Sequence, residues 1–233
     1  MTHGGNDGST GFGDMPPIIT AAHELKSPLA LIRQLSLELE QMDHDEPTRQ
    51  RLFSQISLTS EKALRLTSDL TRAFRLDDAL FKLEPINPLV VCEDVVQQLR
   101  QLFDAHGRGL RIRRIRGVPL VVAHRDLLSR IIMNFCDNAL HYSQGQSPVE
   151  MSIATMRGSQ TVRLGVRDYG PRVASDVFRG GHALASRPHS SGLGLYIVSR
   201  FADAMNARVG VVRHRDGSTF YIDINISHQM KLL

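Results

Sequence analysis

Two stretches within the first 80 residues repeat their apolar positions at intervals of three and four, and few folds admit that spacing. In the first, Ala22, Leu25, Leu29, Ile32, Ser36 and Leu39 follow one another at coiled-coil intervals; in the second, Leu52, Ile56, Thr59, Ala63, Leu66, Leu70 and Ala73 do the same. Each marks a long helix. Pro16-Pro17 suits a first helical turn, so the first helix is expected from there to about Met42, and the second from about Pro47 to Leu80. Between them Asp43-His44-Asp45-Glu46-Pro47 is a short polar turn, which makes the pair an antiparallel hairpin. Leu31 and Leu35 widen the apolar face of the first helix beyond what one partner covers. A hairpin of roughly 60 residues does not hide both its faces, so a dimeric four-helix bundle is expected, with packing on the following domain as the alternative.

After residue 81 the pattern changes to alternating strand and helix. Leu83-Glu84-Pro85-Ile86 reads as a short edge strand, and Asn87-Pro88 as an N-cap with a first-turn proline for a helix to about Phe103. Strands are expected near 110–115, 119–123, 149–156 and 161–167, and helices over 125–142 and 192–206. A closing hairpin of 208–214 and 218–225 turns at Asp216-Gly217. The fold class is α+β: a helical hairpin, then an α/β sandwich with helices on one face of a mixed sheet. The division is a leader over 1–16, the hairpin over 17–81 and the second domain over 82–233. A structureless stretch such as 169–191 inside a compact domain reads as a functional loop or lid.

Composition narrows the setting. Hydrophobic residues make up 42% and charged residues 22%, which excludes a fully disordered or fibrous chain. No apolar run reaches the ~20 residues of a membrane span, and the glycine-rich start lacks the apolar core of a secretory signal, so no direct membrane insertion is expected. Cys92 and Cys136 lie in apolar helical stretches without metal-ligand spacing and read as buried free thiols, pointing to the cytoplasm. The net charge is +4, densest in Gly-Arg-Gly-Leu-Arg-Ile-Arg-Arg-Ile-Arg-Gly at 107–117. Its alternation fits a strand with one solvated face, and no aromatic residue interleaves the arginines, so nucleic acid is not an expected partner.

Four clusters carry potential chemistry. His23-Glu24-Leu25-Lys26-Ser27-Pro28-Leu29 places a histidine one position past the seam, facing solvent, with a carboxylate beside it and Ser27 one turn along. A carboxylate that accepts one ring proton makes the other nitrogen a better nucleophile. In Asn134-Phe135-Cys136-Asp137-Asn138-Ala139-Leu140-His141-Tyr142 the asparagines are four apart on one helical face; buried amides need partners, which Mg²⁺ carrying a phosphate or a second helix would supply. Asp168-Tyr169-Gly170-Pro171 ends a strand; it suits either an adenine-type amine contact or an ordinary turn. Gly192-Leu193-Gly194-Leu195 opens a helix and so exposes backbone N–H groups to phosphate oxygens.

Taken in order, the set resembles the sensor histidine kinases of two-component signalling. The His23 stretch is similar to that family's phosphoacceptor box, residues 134–142 to its N box, Phe178 to its F box, and Asp168–Pro171 and Gly192–Leu195 to its glycine boxes. Gly217-Ser218-Thr219-Phe220 is similar to its last box. The resemblance implies a dimerisation and histidine-phosphotransfer hairpin followed by a Bergerat-type ATP-binding domain. It also implies His23 as phosphoacceptor, Glu24 as its base and Ser27 in the position that aligns water for dephosphorylating a partner. Asn138 and Asn134 would hold Mg²⁺, with His141 and Tyr142 near the phosphates. Asp168 and Gly170 would meet adenine, Gly192, Leu193, Gly194 and Leu195 would cradle the phosphate chain, and Thr219 would lie near the base. ATP and Mg²⁺ are the implied cofactors. A homodimeric partner copy, a response-regulator receiver domain and a separate or missing sensory segment are the implied partners.

The expected function is therefore an ATP-dependent protein histidine kinase that phosphorylates His23 and passes the phosphoryl group to a regulator aspartate, with a phosphatase role resting on Ser27. The pattern departs from the family at His141, where relatives carry Lys or Arg, at Arg172, which replaces a common glycine, and in its compact lid. These favour, as the alternative, a catalytically weak or ATP-independent phosphotransfer scaffold. A chaperone-type or mismatch-repair-type ATPase would lack the helical His-Glu pair.

Overall fold

A computed structural model describes residues 17–41, 44–76, 82–113, 117–143, 147–156, 158–170, 173, 178 and 193–228. The leader, Gly192, Arg172 and nearly all of the expected lid lie outside the described residues.

The hairpin forms as the spacing requires. Helix α1 spans Pro17–Leu39 and helix α2 spans Glu46–Phe74, both shorter at their C-terminal ends than the periodicity suggested. Asp45 caps α2, its carboxylate accepting from the Thr48 N–H at 3.1 Å, and Pro47 occupies the first turn, where a missing donor costs nothing. That hydrogen bond holds the Asp45 carboxyl below its ordinary value. All seven α2 seam residues are buried or half-buried, with Leu52 and Ala73 at 1% exposure.

On α1 the register differs from the expectation. Ala21 and Leu35 are buried and Leu25, Ile32 and Leu39 half-buried, whereas the expected seam members Ala22 and Leu29 are exposed, Leu29 at 59%. Leu35, read as an outer residue, faces α2. The reason is geometric: α1 turns its 21-25-28-32-35-39 stripe to α2, and the neighbouring 22-29-36 stripe is left for something else.

The second domain follows the expected order. Strand β1 (Glu84–Ile86) pairs antiparallel with β3 (Val121–Ala123), outside the main sheet. Helix α3 spans Pro88–Ala105, with the Asn87 side chain accepting from the Leu89 N–H. After α3 come β2 (Leu110–Arg113), β3, helix α4 (Arg125–Tyr142), β4 (Val149–Thr155), β5 (Thr161–Asp168), helix α5 (Leu193–Ala204), β6 (Arg208–His214) and β7 (Gly217–Asn225). The main sheet runs β2-β4-β5-β7-β6, with only the β2–β4 pair parallel. Alternation along the strands puts Met151, Ile153, Leu164, Val166, Ile222 and Ile224 into the core with Leu99, Phe103, Ile131, Phe135, Ile197 and Phe201 of the helices. The opposite face stays polar, with Arg163 in a bidentate pair to Asp223 at 2.7 and 2.8 Å.

Cys92 and Cys136 are free and buried; burial pushes the Cys92 thiol up to about 12 and Cys136 up as well. Among the described residues no helix is long and apolar enough to cross a membrane.

Candidate nucleotide site and phosphoacceptor helix

Three segments meet at the C-terminal half of α4. The first is α4 itself, where Ile131, Phe135 and Ala139 face the core and the half-buried Asn134 and Asn138 lie four residues apart. The Asn134 amide nitrogen donates to the Arg130 carbonyl at 3.1 Å, which turns its oxygen outward. That oxygen is 2.8 Å from where a Cβ on Gly194 would stand. A side chain at 194 would push that amide aside, so glycine lets the start of α5 and the Asn134 oxygen share this space.

The second segment is the end of β5. Asp168 is fully buried, and its Oδ1 accepts from the Gly170 N–H at 3.0 Å. The Tyr169 N–H donates to the Ser143 hydroxyl at 3.1 Å, and Arg108 donates to the Ser143 carbonyl at 3.0 Å. These bonds pull the turn onto the end of α4, where a Cβ on Gly170 would overlap the Tyr142 carbonyl. Tyr142 is half-buried and packs edge-on to the exposed His141 ring, with centroids 4.9 Å apart. Next to Asn138, Asp137 is held above its ordinary carboxylate value by burial, with Lys62 and Arg65 partly opposing the rise.

The third segment is the start of β7, and here one expectation changes. Ser218 lies directly across from Asp168 in the β5–β7 ladder, on the same buried side, and is fully buried. Among the described residues its hydroxyl finds no hydrogen-bond partner. Thr219, expected near the base, points through the other face, opposite Arg167, and pairs with His214 at 2.8 Å. Successive strand residues alternate sides, so one position decides which hydroxyl enters the pocket. The serine beside Asp168 is the residue the sequence reading missed; its partner in the ladder was the signal that would have found it.

The structure therefore gathers Asn134, Asn138, Tyr142, Asp168, Gly170 and Gly194 around one end of α4, with Leu193 buried and Leu195 half-buried as anchors of α5. It does not bring the phosphoacceptor candidates into that cluster. His23 and Ser27 are exposed on α1 and Glu24 is half-buried. Chemically, the cluster fits a nucleotide: a buried carboxylate and an unsatisfied hydroxyl for a base edge, a glycine-lined approach for phosphates, and two amide oxygens of the kind that suit Mg²⁺. Among the described residues no group of histidine, cysteine and carboxylate side chains is arranged to hold a metal without such a nucleotide.

Comparison with known proteins agrees with this geometry. Residues 123–228 match the family described as histidine kinase-, DNA gyrase B- and HSP90-like ATPase. The chain is 28% identical over 186 residues to the adaptive-response sensory kinase SasA of Rippkaea orientalis, covering 75% of this chain and 47% of that protein. It thus spans about half the length of that curated relative. Full-length ShkA in complex with AMPPNP shares the fold at a TM-score of 0.60 and 23% identity, over 91% of this chain and 47% of that one. Histidine kinase ThkA in complex with the response regulator TrrA does so at 0.62 and 16%, over 90% and 61%.

Proposed function

We propose that this chain, whose residues 123–228 match the histidine kinase-, DNA gyrase B- and HSP90-like ATPases, is a sensor histidine kinase that phosphorylates His23 from ATP and passes the group to an aspartate of a response regulator. One observation carries the reading: Asn134 is pressed against Gly194 beside the buried Asp168–Ser218 pair, on a domain joined to a helix that displays an open imidazole.

In this reading Asp168 and Ser218 fix the adenine edge and Gly170 lets the backbone approach its plane. The N–H groups at the start of α5 hold the phosphates, helped by the helix dipole. Asn138 and Asn134 would hold Mg²⁺, which supplies charge neutralisation on the phosphate oxygens when bound. Glu24 orients the His23 ring and accepts its N–H proton. The other ring nitrogen donates its lone pair to the γ-phosphorus as the bond to the β–γ bridging oxygen breaks, releasing ADP. Ser27, one helical turn from His23, stands where it can orient a water that hydrolyses a phosphorylated regulator to its free aspartate and inorganic phosphate.

The partners follow from the surface. On α2 the positions 53, 57, 60, 64, 67, 71 and 74 form a second heptad stripe, turned away from α1, with Phe53 54%, Leu64 70% and Phe74 49% exposed. A second copy that covers it completes a four-helix bundle in which the exposed Leu29 also finds a neighbour. The regulator partner is supported by the ThkA complex. A cytoplasmic site suits two reduced, buried thiols.

The test is incubation with γ-labelled ATP and Mg²⁺. Acid-labile, base-stable label on the wild type and none on His23→Gln supports the kinase; full label on the variant refutes the assignment of His23. Calorimetry with Mg²⁺·ATP separates the kinase from an ATP-independent relay, which would show no binding.

A further inference from the structure

Two ion pairs of opposite polarity join α2 to α4, the helix that presents Asn134 and Asn138. Arg72 meets Asp126 at 3.3 Å. One turn back along α2, Asp69 meets Arg130, also at 3.3 Å, with the Asp69 side chain only 9% exposed. Further along, α2 carries the cations Lys62 and Arg65 and α4 the buried Asp137, whose Oδ1 has no hydrogen-bond partner among the described residues and whose carboxyl burial raises more than those cations lower it. Read along the interface, α4 carries minus, plus, minus and α2 carries plus, minus, plus. The spacing on both helices keeps these groups on one face.

Such a pattern selects position more than it adds affinity. Sliding α4 by one rung would set Arg72 against Arg130 and Asp69 against Asp137, so like charges oppose every neighbouring seat. The same contact sets where the phosphoacceptor stands. Ala21 is buried in the cluster that joins the hairpin to the domain, α5 packs on both α1 and α2, and His23 lies two residues further on, about 200° around the helix. The seat on α2 thus leaves the His23 ring on the outer side of α1.

We propose that Asp69, Arg72, Asp126 and Arg130 are positioning residues: they key the ATP-binding domain to one resting seat on α2, from which it must be released before the nucleotide site reaches His23. The proposal rests on the kinase reading for its consequence, but the key itself is a property of the fold. The four side chains pair with one another, and it is the Arg130 backbone carbonyl that meets Asn134.

The experiment uses the full chain with Asp69→Arg, Arg130→Asp and the double exchange that restores opposite charges in swapped order, beside the matching Arg72→Asp, Asp126→Arg set. Small-angle scattering and amide exchange along α2 report the seat; calorimetry reports Mg²⁺·ATP affinity; label on His23 reports the consequence. Each single reversal is expected to enlarge the radius of gyration, speed exchange on the 62–72 face and raise His23 labelling at least threefold. The exchanged pairs return all three towards wild type, with nucleotide affinity within twofold throughout. Single reversals that leave size and exchange unchanged, exchanged pairs that fail to restore them, or reversals that enlarge the molecule yet lower labelling all overturn the proposal. Absence of label in every form, wild type included, instead counts against the kinase reading and leaves the structural readouts to decide the key.

Discussion

Two glycines make close approaches around α4, and they answer differently to a methyl group. At Gly170 the added carbon would meet the Tyr142 backbone carbonyl, which has nowhere to go, so Gly170→Ala is expected to cost about 1–3 kcal/mol in denaturant unfolding. At Gly194 it would meet only the end of the Asn134 side chain, which swings aside. Gly194→Ala should therefore leave stability within about 0.5 kcal/mol while weakening Mg²⁺·ATP binding roughly tenfold by calorimetry, because the displaced amide is the one aimed at the site. The hydroxyls of β7 offer a matching contrast. Ser218 is buried and unsatisfied among the described residues, so Ser218→Ala should be neutral or mildly stabilising yet lower nucleotide affinity. Thr219→Ala should break a bond to His214 and leave affinity alone.

Charge behaves by the same local rules. The Asp45 carboxyl is held below its ordinary value by the Thr48 hydrogen bond, so its capping contribution is full above that ordinary value. It is lost only as pH falls through the lower, folded value. Asp69 is the reverse. Burial raises it despite Arg130, Arg72 and Arg65, with Asp137 adding to the rise, so the folded state binds its proton more tightly and stability falls as pH rises through that window. Carboxyl carbon shifts should place the Asp69 midpoint above 3.8 and the Asp45 midpoint below it. A buried aspartate that its cations do not fully compensate is consistent with a contact kept for register rather than for stability.

At the scale of the element, the hairpin shows what periodicity does and does not say. The α2 seam from Leu52 to Ala73 is where the spacing puts it, since apolar positions at these intervals have one way to face a single neighbour. On α1 two stripes lie side by side, 21-25-28-32-35-39 and 22-29-36, and the sequence alone does not rank them. Which one α2 takes is a packing outcome, and the rejected one, with Leu29 exposed, marks the place for another helix. If the second α2 stripe is a dimer contact, Leu64→Glu should halve the molar mass by light scattering at micromolar concentration while the far-ultraviolet helix signal persists.

At the scale of the molecule, the sandwich is a single core in which two thiols are sealed. With Cys92 pushed up to about 12 and Cys136 also raised well above its ordinary value by burial, the folded protein should resist thiol reagents at pH 8 and react only at the rate of global unfolding. The sandwich is also not a free appendage: α5 packs on α1 and α2 and α4 is ion-paired to α2, so the candidate nucleotide cluster and the exposed His23 are held in a defined but separate relation.

Local rules were enough for much of this. The helix start at Asn87-Pro88, the second helix beginning near Pro47, the span of α4, the strand alternation and the Asp216-Gly217 turn are written in neighbouring residues, because caps, prolines and side-chain alternation act within a few positions. The order of the motifs likewise pointed to a nucleotide before any fold was known. What only the tertiary structure decided were relations between distant segments: that the Asn134 amide occupies the space a Cβ on Gly194 would need, that Ser218 and not Thr219 faces Asp168, that α2 and α4 meet through ion pairs, and which face of α1 is inside. Those depend on strand register and helix rotation, quantities that a shift of one residue reverses and that no short stretch of sequence carries by itself.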